Sequence, residues 1–437
     1  MSATEQTSDP IDILIVGSGG REHALALALA ASPRCGSLYI APGNGGTAEV
    51  GENVALNAED PEQVAAFARE TGCGLVVIGP EAPLVAGVAD AVRNEGIPCF
   101  GPGAAGAQIE GSKRFSKQMM DRAEVPTAAW ASFTDEDQAL AYVREHAHPV
   151  VVKADGLAAG KGVIIADHTK EAEEAIHSCF SGAFGSAGTT VVIEEMLTGP
   201  ECSLLAFIDG KSMYPMLTSQ DHKRALEGDE GLNTGGMGAY SPVPIVTDAE
   251  YEAMVDAMER TVAAMADEGI DYRGCLYGGF MLTPQGPQVL EFNARFGDPE
   301  TQVVLPLLKT DLVDVMLAVA DQRLHEIELS WDEGSALTVV LTSAGYPGSY
   351  ECGKRISGID KASLLPGITV YQAGTALTDE GDLITSGGRV LAVTAVASSL
   401  EAARERAYEA CDLIGFEGKT LRRDIGVRAL AGRSAWA

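Results

Sequence analysis

The chain has 437 residues, 46% hydrophobic and 21% charged, and its 62 acidic against 31 basic groups give a net charge of −31 at pH 7. That length accommodates roughly two to four domains with substantial cores, and so acidic a surface repels nucleic acid and anionic membranes, which excludes both as expected partners. The eight cysteines stand apart with no C-x-x-C pair, the amino terminus lacks a basic start and an apolar stretch, and no apolar run reaches membrane-spanning length; the expectation is a soluble protein of a reducing cytoplasm.

Residues 11–103 alternate short apolar runs, "IDILIV", "SLYI", "GLVVI" and "IPCF", with helical stretches near 22–31, 61–71 and 84–95. This pattern predicts a parallel sheet with crossover helices and ligands beyond the carboxyl ends of the strands. The loops there are "GSGGREHA", "APGNGG" and "GPEAPL". A dinucleotide fingerprint would need glycine at position 22, which is Glu22, so an oxidoreductase using this sheet for NAD is disfavoured. Amides at Gly19 and Gly20, opening a helix, suit a single phosphate, and a tight turn without a ligand explains the same residues.

After a Gly/Pro-rich connector, "HPVVVKADGLAAGKGVII" reads as strand, flexible loop, strand, with "TTVVIEEML" a further strand and helices near 135–147 and 170–181. Lys153 ends a buried strand, which is costly unless an anion waits there. The small residues that follow let backbone amides approach phosphate oxygens beside Lys161. "TSQDHKR" gathers Asp221, His222, Lys223 and Arg224, and "NTGGMG" adds an amide-rich loop; Lys223 and Arg224 suit an anionic substrate, and His222 is the weaker choice. The stripe Tyr251, Met254, Val255, Met258, Val262 and Met265 marks an amphipathic helix with a Thr247–Glu250 capping box and Gly269 as its stop. Two strands joined by Pro-Gln-Gly end at "VLEFNARFGDPET", where Glu291 and Asn293 share one face and offer hard oxygen ligands of the kind that hold Mg²⁺ beside a phosphate chain. Arg295 is left for a second anion. After Trp331, strand-rich segments and one helix near 399–413 predict a separate small α+β domain.

Only 11 lysines occur, and Lys113, Lys117, Lys153, Lys161 and Lys223 fall in or beside these motifs, so basic groups are kept where an anion is bound. The acidic excess on helix faces suggests a salt-rich, halophilic cytoplasm. Indifference of fold and activity to molar salt would remove that idea.

"GSGGREHALA", "APGNGGTA", "GPEAPLVAGV", "EGSKRFSKQ", "VVKADGLAAGKGV", "TSQDHKR", "NTGGMGAYSP" and "EFNARFGDPETQ", in this order, resemble the phosphoribosylamine–glycine ligase family of ATP-grasp enzymes from residue 11 to "RRDIG" at 422–426. The resemblance implies an α/β architecture: a Rossmann-like, pre-ATP-grasp substrate domain (11–110), an ATP-grasp core of two α+β subdomains (111–330, its mobile lid about 124–196), and a small C-terminal α+β domain (331–437). It implies ATP bound by Lys113, Lys153 and the Gly160–Lys161–Gly162 loop, with adenine against backbone groups of Glu194, Glu195 and Met196 and ribose hydroxyls at Glu201. Mg²⁺ or Mn²⁺ would be held by Glu291 and Asn293. Phosphoribosylamine would place its phosphate near Gly19, Gly20 and Arg21 and its hydroxyls near Glu81. Asp221, Lys223, Arg224 and Arg295 would serve the substrates, Asp298 would grip the glycine ammonium, and Arg295, Lys153 and Lys223 would act in catalysis. The implied reaction joins glycine to 5-phosphoribosylamine through glycyl phosphate, the second step of de novo purine biosynthesis, in a monomer whose partners are small molecules. A different carboxylate–amine ligase or carboxylase of the same fold, or a nucleotide-binding regulator without turnover, are the rivals; the intact set Lys153, Glu291, Asn293 and Arg295 argues against the regulator.

Overall fold

The computed structural model describes residues 9–157 and 162–436. The first sheet has five parallel strands, Ile11–Gly17, Cys35–Pro42, Glu52–Asn53, Leu75–Ile78 and Cys99–Phe100, in the spatial order third, second, first, fourth, fifth. Strand order reverses beside Ile11–Gly17, so the loops after it and after Leu75–Ile78 face each other across a crevice. The helix expected over 84–95 is two, Glu81–Val85 and Val88–Asn94, because Gly87 adopts φ +88°, a left-handed conformation that glycine reaches without steric cost.

A second sheet runs Trp130–Phe133, Val191–Glu195, Val150–Ala154, Val163–Ala166, all antiparallel. Helices Glu136–Glu145 and Thr169–Ser178 supply Leu140, Val143 and Ile176 to a core distinct from the rest of the chain. A third sheet has Met213–Pro215, Glu201–Asp209, Arg273–Thr283 and Gly286–Asn293, the last two joined by the expected turn. Helix Asp248–Asp267 contributes Met254, Met258, Val262 and Met265 to the large core, and Thr247 and Glu250 form its capping box as the spacing predicts.

The C-terminal segment after Trp331 forms a strand-rich unit with one long helix, as expected, and its sheet also recruits strands from earlier in the chain. Its sheet of Ser335–Ser343, Arg389–Ala397, Ile368–Gln372 and Lys419–Thr420 takes in Gly238–Ser241 and Gln220–Asp221 from the middle of the chain, with Ala239 opposite Thr338. The "NTGGMG" stretch, expected as an amide-rich loop, runs at Gly238 into the buried strand Gly238–Ser241. Helix Leu400–Leu413 packs on this sheet. Among the described residues no helix is long and apolar enough to cross a membrane.

Candidate active site

The strand Gly286–Asn293 sets the centre of the site. Its register against Arg273–Thr283 slips at Leu290: Gly279 faces Glu291, yet Phe280 faces Val289. Such a bulge re-aims the side chains beyond it. Val289 and Phe292 are therefore both buried, while Glu291 and Asn293 stand together on the open face. Neither has a hydrogen bond or ion pair among the described residues. Burial would raise the Glu291 carboxyl, but Lys223, Lys153, Lys113 and Arg295 together hold it below its ordinary value. An ionised carboxylate and an amide oxygen without partners, ringed by four cations, fit a divalent metal that shares its coordination with an anionic ligand. Among the described residues no group of three or more His, Cys, Asp or Glu could hold a metal by itself.

Beside this strand a buried triad links the second and third sheets. Glu194, at the end of Val191–Glu195, lies between Lys153 at 2.7 Å and Lys117 at 2.8 Å, and all three are nearly inaccessible. Lys117 also donates to Thr127 Oγ1 (2.7 Å), whose hydroxyl donates to the Val289 carbonyl (2.6 Å); Lys153 Nζ reaches the Leu290 carbonyl at 3.4 Å. Burial opposes the charge on Glu194, and the two lysines overcome it and keep its carboxyl below the usual range. The Glu194 side chain is thus engaged with lysines, leaving its backbone, with Glu195 and the half-buried Met196, at the strand end. Lys113 opens helix Lys113–Arg122 and donates to the Gly156 carbonyl (3.0 Å), with Ser112 as the helix cap; burial lowers its ammonium pKa, opposed by Glu291. Gly160 and Lys161 lie outside the described residues. Gly162 accepts a backbone hydrogen bond from Ala154.

Arg295 is less free than its sequence suggests. Its guanidinium bonds Glu110 at 2.8 Å and lies 3.6 Å from Glu81. Glu110 also accepts from the Ala294 amide (2.7 Å), which fixes the turn carrying Arg295. Burial raises Glu110 against the pull of Arg295, with Glu81 adding to the rise, whereas Arg295 and Arg21 hold Glu81 low against its own burial. One arginine therefore balances two carboxylates and remains a cation facing Glu291. Glu81, expected at the ribose hydroxyls, is tied to this cluster.

On the opposite wall, Lys223 pairs with Glu201 at 2.7 Å, and its ammonium is held well above its ordinary range because Glu201, Asp221, Tyr277 and Glu291 outweigh burial. Asp221 is half-buried beside it; burial pushes it up to about 8, Lys223 pulls the other way, and Glu300, Glu201 and Glu291 add to the rise. Glu300, nearly inaccessible, has its carboxyl raised by burial and is close enough to feel Arg295 and Lys223. Arg224 does not point its charge at this group: it donates to the Gly231 carbonyl (2.8 Å) across the hairpin Arg224–Leu226/Glu230–Asn233. His222 is structural: burial, then Arg422, drives its pKa down to about 4, and its Nε2 accepts from the Gly426 amide (3.3 Å).

The amino-terminal loop, expected near a phosphate, is braced by its own side chains. Gly19 donates to Glu22 Oε2 (2.5 Å), and Arg21 bonds Glu22 and the Phe296 carbonyl (3.1 Å), acting as a strut rather than an open guanidinium. Gly20 is buried, and a Cβ there would meet the Gln302 amide at 2.7 Å. Asp298, expected to grip an ammonium, instead accepts from Gln302 (2.9 Å) and pairs with Arg389 at 3.3 Å, close beside Gly19. Glu110, Lys117, Glu300 and Arg389 complete the site without having been assigned to it from sequence; only the scarcity of lysine pointed toward Lys117.

Three family models match in series: the phosphoribosylglycinamide synthetase N domain over residues 11–110, its ATP-grasp (A) domain over 111–301 and its C domain over 336–428. The chain belongs to the phosphoribosylglycinamide synthetase family. It is 52% identical over 425 residues to the phosphoribosylamine–glycine ligase of Allochromatium vinosum, covering 96% of this chain and 99% of that one, and 50% identical over 424 residues to that of Vibrio parahaemolyticus, covering 96% and 98%. The crystal structure of the phosphoribosylamine–glycine ligase from Thermotoga maritima superposes with a TM-score of 0.83 at 33% identity, covering 95% of this chain and all of that one. A biotin carboxylase domain of 2-oxoglutarate carboxylase from Hydrogenobacter thermophilus, solved with MgADP, has a TM-score of 0.72 at 17% identity, covering 95% of this chain and 92% of that one, and shares the fold alone. For a member of the synthetase family, the ATP-grasp domain match accounts for two sheets with lysines between them.

Proposed function

We propose that the chain ligates glycine to 5-phosphoribosylamine with ATP, through glycyl phosphate, giving glycinamide ribonucleotide, ADP and phosphate. The observation that carries the reading is the unengaged Glu291–Asn293 pair ringed by Lys113, Lys153, Lys223 and Arg295, in a chain about half identical to curated ligases of that name. ATP lies between the second and third sheets, its adenine against backbone at Glu195 and Met196 and its phosphates near Lys113 and Lys153. Glu201 gives one oxygen to Lys223 and keeps the other for a ribose hydroxyl. Mg²⁺ or Mn²⁺, when bound by Glu291 and Asn293, supplies charge neutralisation to the polyphosphate.

A glycine carboxylate oxygen attacks the γ-phosphorus, the bond to the bridging oxygen breaks, and ADP leaves. The nitrogen of phosphoribosylamine then attacks the carbonyl carbon of glycyl phosphate, loses a proton, and phosphate departs with the C–O bonding electrons. The protein aligns and neutralises and supplies no nucleophile. Arg295 and Lys223 face the carboxylate and then the oxyanion. The ribonucleotide enters beside the amino-terminal loops, its phosphate at the first turn of Gly20–Ala30. The domain reading 11–110, 111–330 with a lid about 124–196, and 331–437 goes with this, the separate core of the second sheet supporting motion of the lid as a unit.

The test is ADP formation from Mg-ATP, glycine and freshly generated phosphoribosylamine with each omitted in turn. ADP release that ignores glycine overturns the assignment.

A further inference from the structure

Arg389 belongs to the C-terminal strand Arg389–Ala397, yet its guanidinium reaches the active-site loops. It donates to the Gly235 carbonyl at 2.6 Å and to the Asp298 carbonyl at 2.8 Å, and it pairs with the Asp298 carboxylate at 3.3 Å. Gly235 is one residue from Thr234, whose amide and hydroxyl both donate to the Lys223 carbonyl (2.7 and 2.9 Å), and Met237 donates to the His222 carbonyl (2.8 Å). Asp298 is three residues past Arg295. One planar fork therefore ties the loop that holds Lys223 to the loop that follows Arg295. The contact is tight: a Cβ at Gly235 would meet the Arg389 guanidinium carbon at 3.0 Å, and one at Gly236 would meet Pro299 at 2.4 Å, so small residues there let the two loops close on the arginine. Asp298 lies alongside Gly19 at the positive end of helix Gly20–Ala30, and Arg389 comes first among the charges that, against burial, hold its carboxyl low.

We propose that Arg389 is a positioning residue for the ligation: the C-terminal sheet uses it to fix the separation of Lys223 and Arg295 and to neutralise Asp298 at the helix start. It touches no reacting atom. The ATP-facing lysines Lys113 and Lys153 have no hydrogen bond or ion pair to it, so its loss acts on the glycine and ribonucleotide side of the site and spares ATP binding. The proposal rests on the ligase reading above.

The experiment compares wild type, Arg389→Ala and Arg389→Lys by steady-state kinetics with each substrate varied, phosphoribosylamine being formed in situ from ribose 5-phosphate and ammonia, and repeats Arg389→Ala with guanidinium chloride added well below denaturing concentration. Misplacement of catalytic groups by about an ångström costs on the order of 10²-fold, so kcat of Arg389→Ala falls about that far, with KM for ATP within about twofold of wild type. Added guanidinium restores at least about tenfold by occupying the vacated fork, and Arg389→Lys, which keeps the charge but not the planar geometry, falls between. Wild-type kcat in either variant overturns the proposal, as does a loss of kcat accompanied by an equal loss of ATP affinity or by no rescue. Should Arg389→Ala fail to fold, Arg389→Lys decides alone: full activity refutes positioning. Wild-type protein that shows no glycine-dependent ADP release sinks the ligase reading itself, a result distinct from a failure of Arg389 alone.

Discussion

Replacing Lys117 by methionine probes the buried triad directly. Methionine fills nearly the same volume without the ammonium, so the change removes a charge from a site with almost no solvent access and leaves Glu194 facing Lys153 alone. Breaking a buried pair by removing one partner costs about 3–5 kcal/mol, and because Lys153 remains, roughly half, ~2 kcal/mol, is expected here. The triad also drops from one net positive charge (two lysines, one glutamate) to none. At an effective dielectric near 20 and a separation on the order of 10 Å, a unit charge contributes ~1.7 kcal/mol to binding an anion, which is an affinity loss of ~10-fold or more. Urea unfolding measures the first quantity, and titration with Mg²⁺ and a nonhydrolysable ATP analogue the second. The double variant Lys117→Met/Glu194→Gln also strips Lys153 of its counter-ion and leaves a buried cation unpaired, so it is expected to be less stable than the single one. A Lys117→Met protein as stable and as tight for the nucleotide as wild type, or a double variant more stable than the single one, refutes the reasoning.

Glu291→Ala is expected to lose at least about 10²-fold in turnover with the fold intact, since it removes the ionised member of the pair proposed to anchor the metal; near-normal rates in a steady-state assay remove it from the site. Arg295→Lys keeps the charge but cannot span Glu110 and Glu81 in one plane, so kcat falls ~10-fold or more, checked with saturating substrates. Glu250, held at about 2 chiefly by its hydrogen bonds from Arg433, has a folded value below its unfolded one. Its contribution is therefore present above about pH 4.5 and lost as pH falls toward 2; discounted for the exposure of Arg433, it is ~1 kcal/mol. Arg433→Ala should remove that increment at pH 7 and little near pH 2, read by denaturant unfolding. If the acidic surface answers a salt-rich cytoplasm, thermal stability rises with molar salt; a flat response removes that idea.

The elements that follow a period were readable in the chain itself: the parallel strands, the capped helix Asp248–Asp267 and the pair Glu291–Asn293, because strand alternation and capping are local. Partnerships across the chain were not. Glu110 lies 185 residues from Arg295 and Arg389 lies 154 from Gly235, and nothing local in "AQIEG" marks its glutamate as a counter-ion. The contacts of Arg224 with the Gly231 carbonyl and of Asp298 with Arg389 were likewise beyond any local pattern. The bulge at Leu290 also lay beyond the pattern: strict alternation would put Val289 on the same face as Glu291, and the slip in register buries it instead.

The sheet shared between Gly238–Ser241 and Ser335–Ser343 limits how the protein can be dissected. A fragment ending near residue 330 would leave Gly238–Ser241 with a row of unsatisfied amides and carbonyls, an open template for intermolecular pairing. Separately expressed halves should therefore precipitate alone and regain solubility only on co-expression, when each supplies the edge the other lacks.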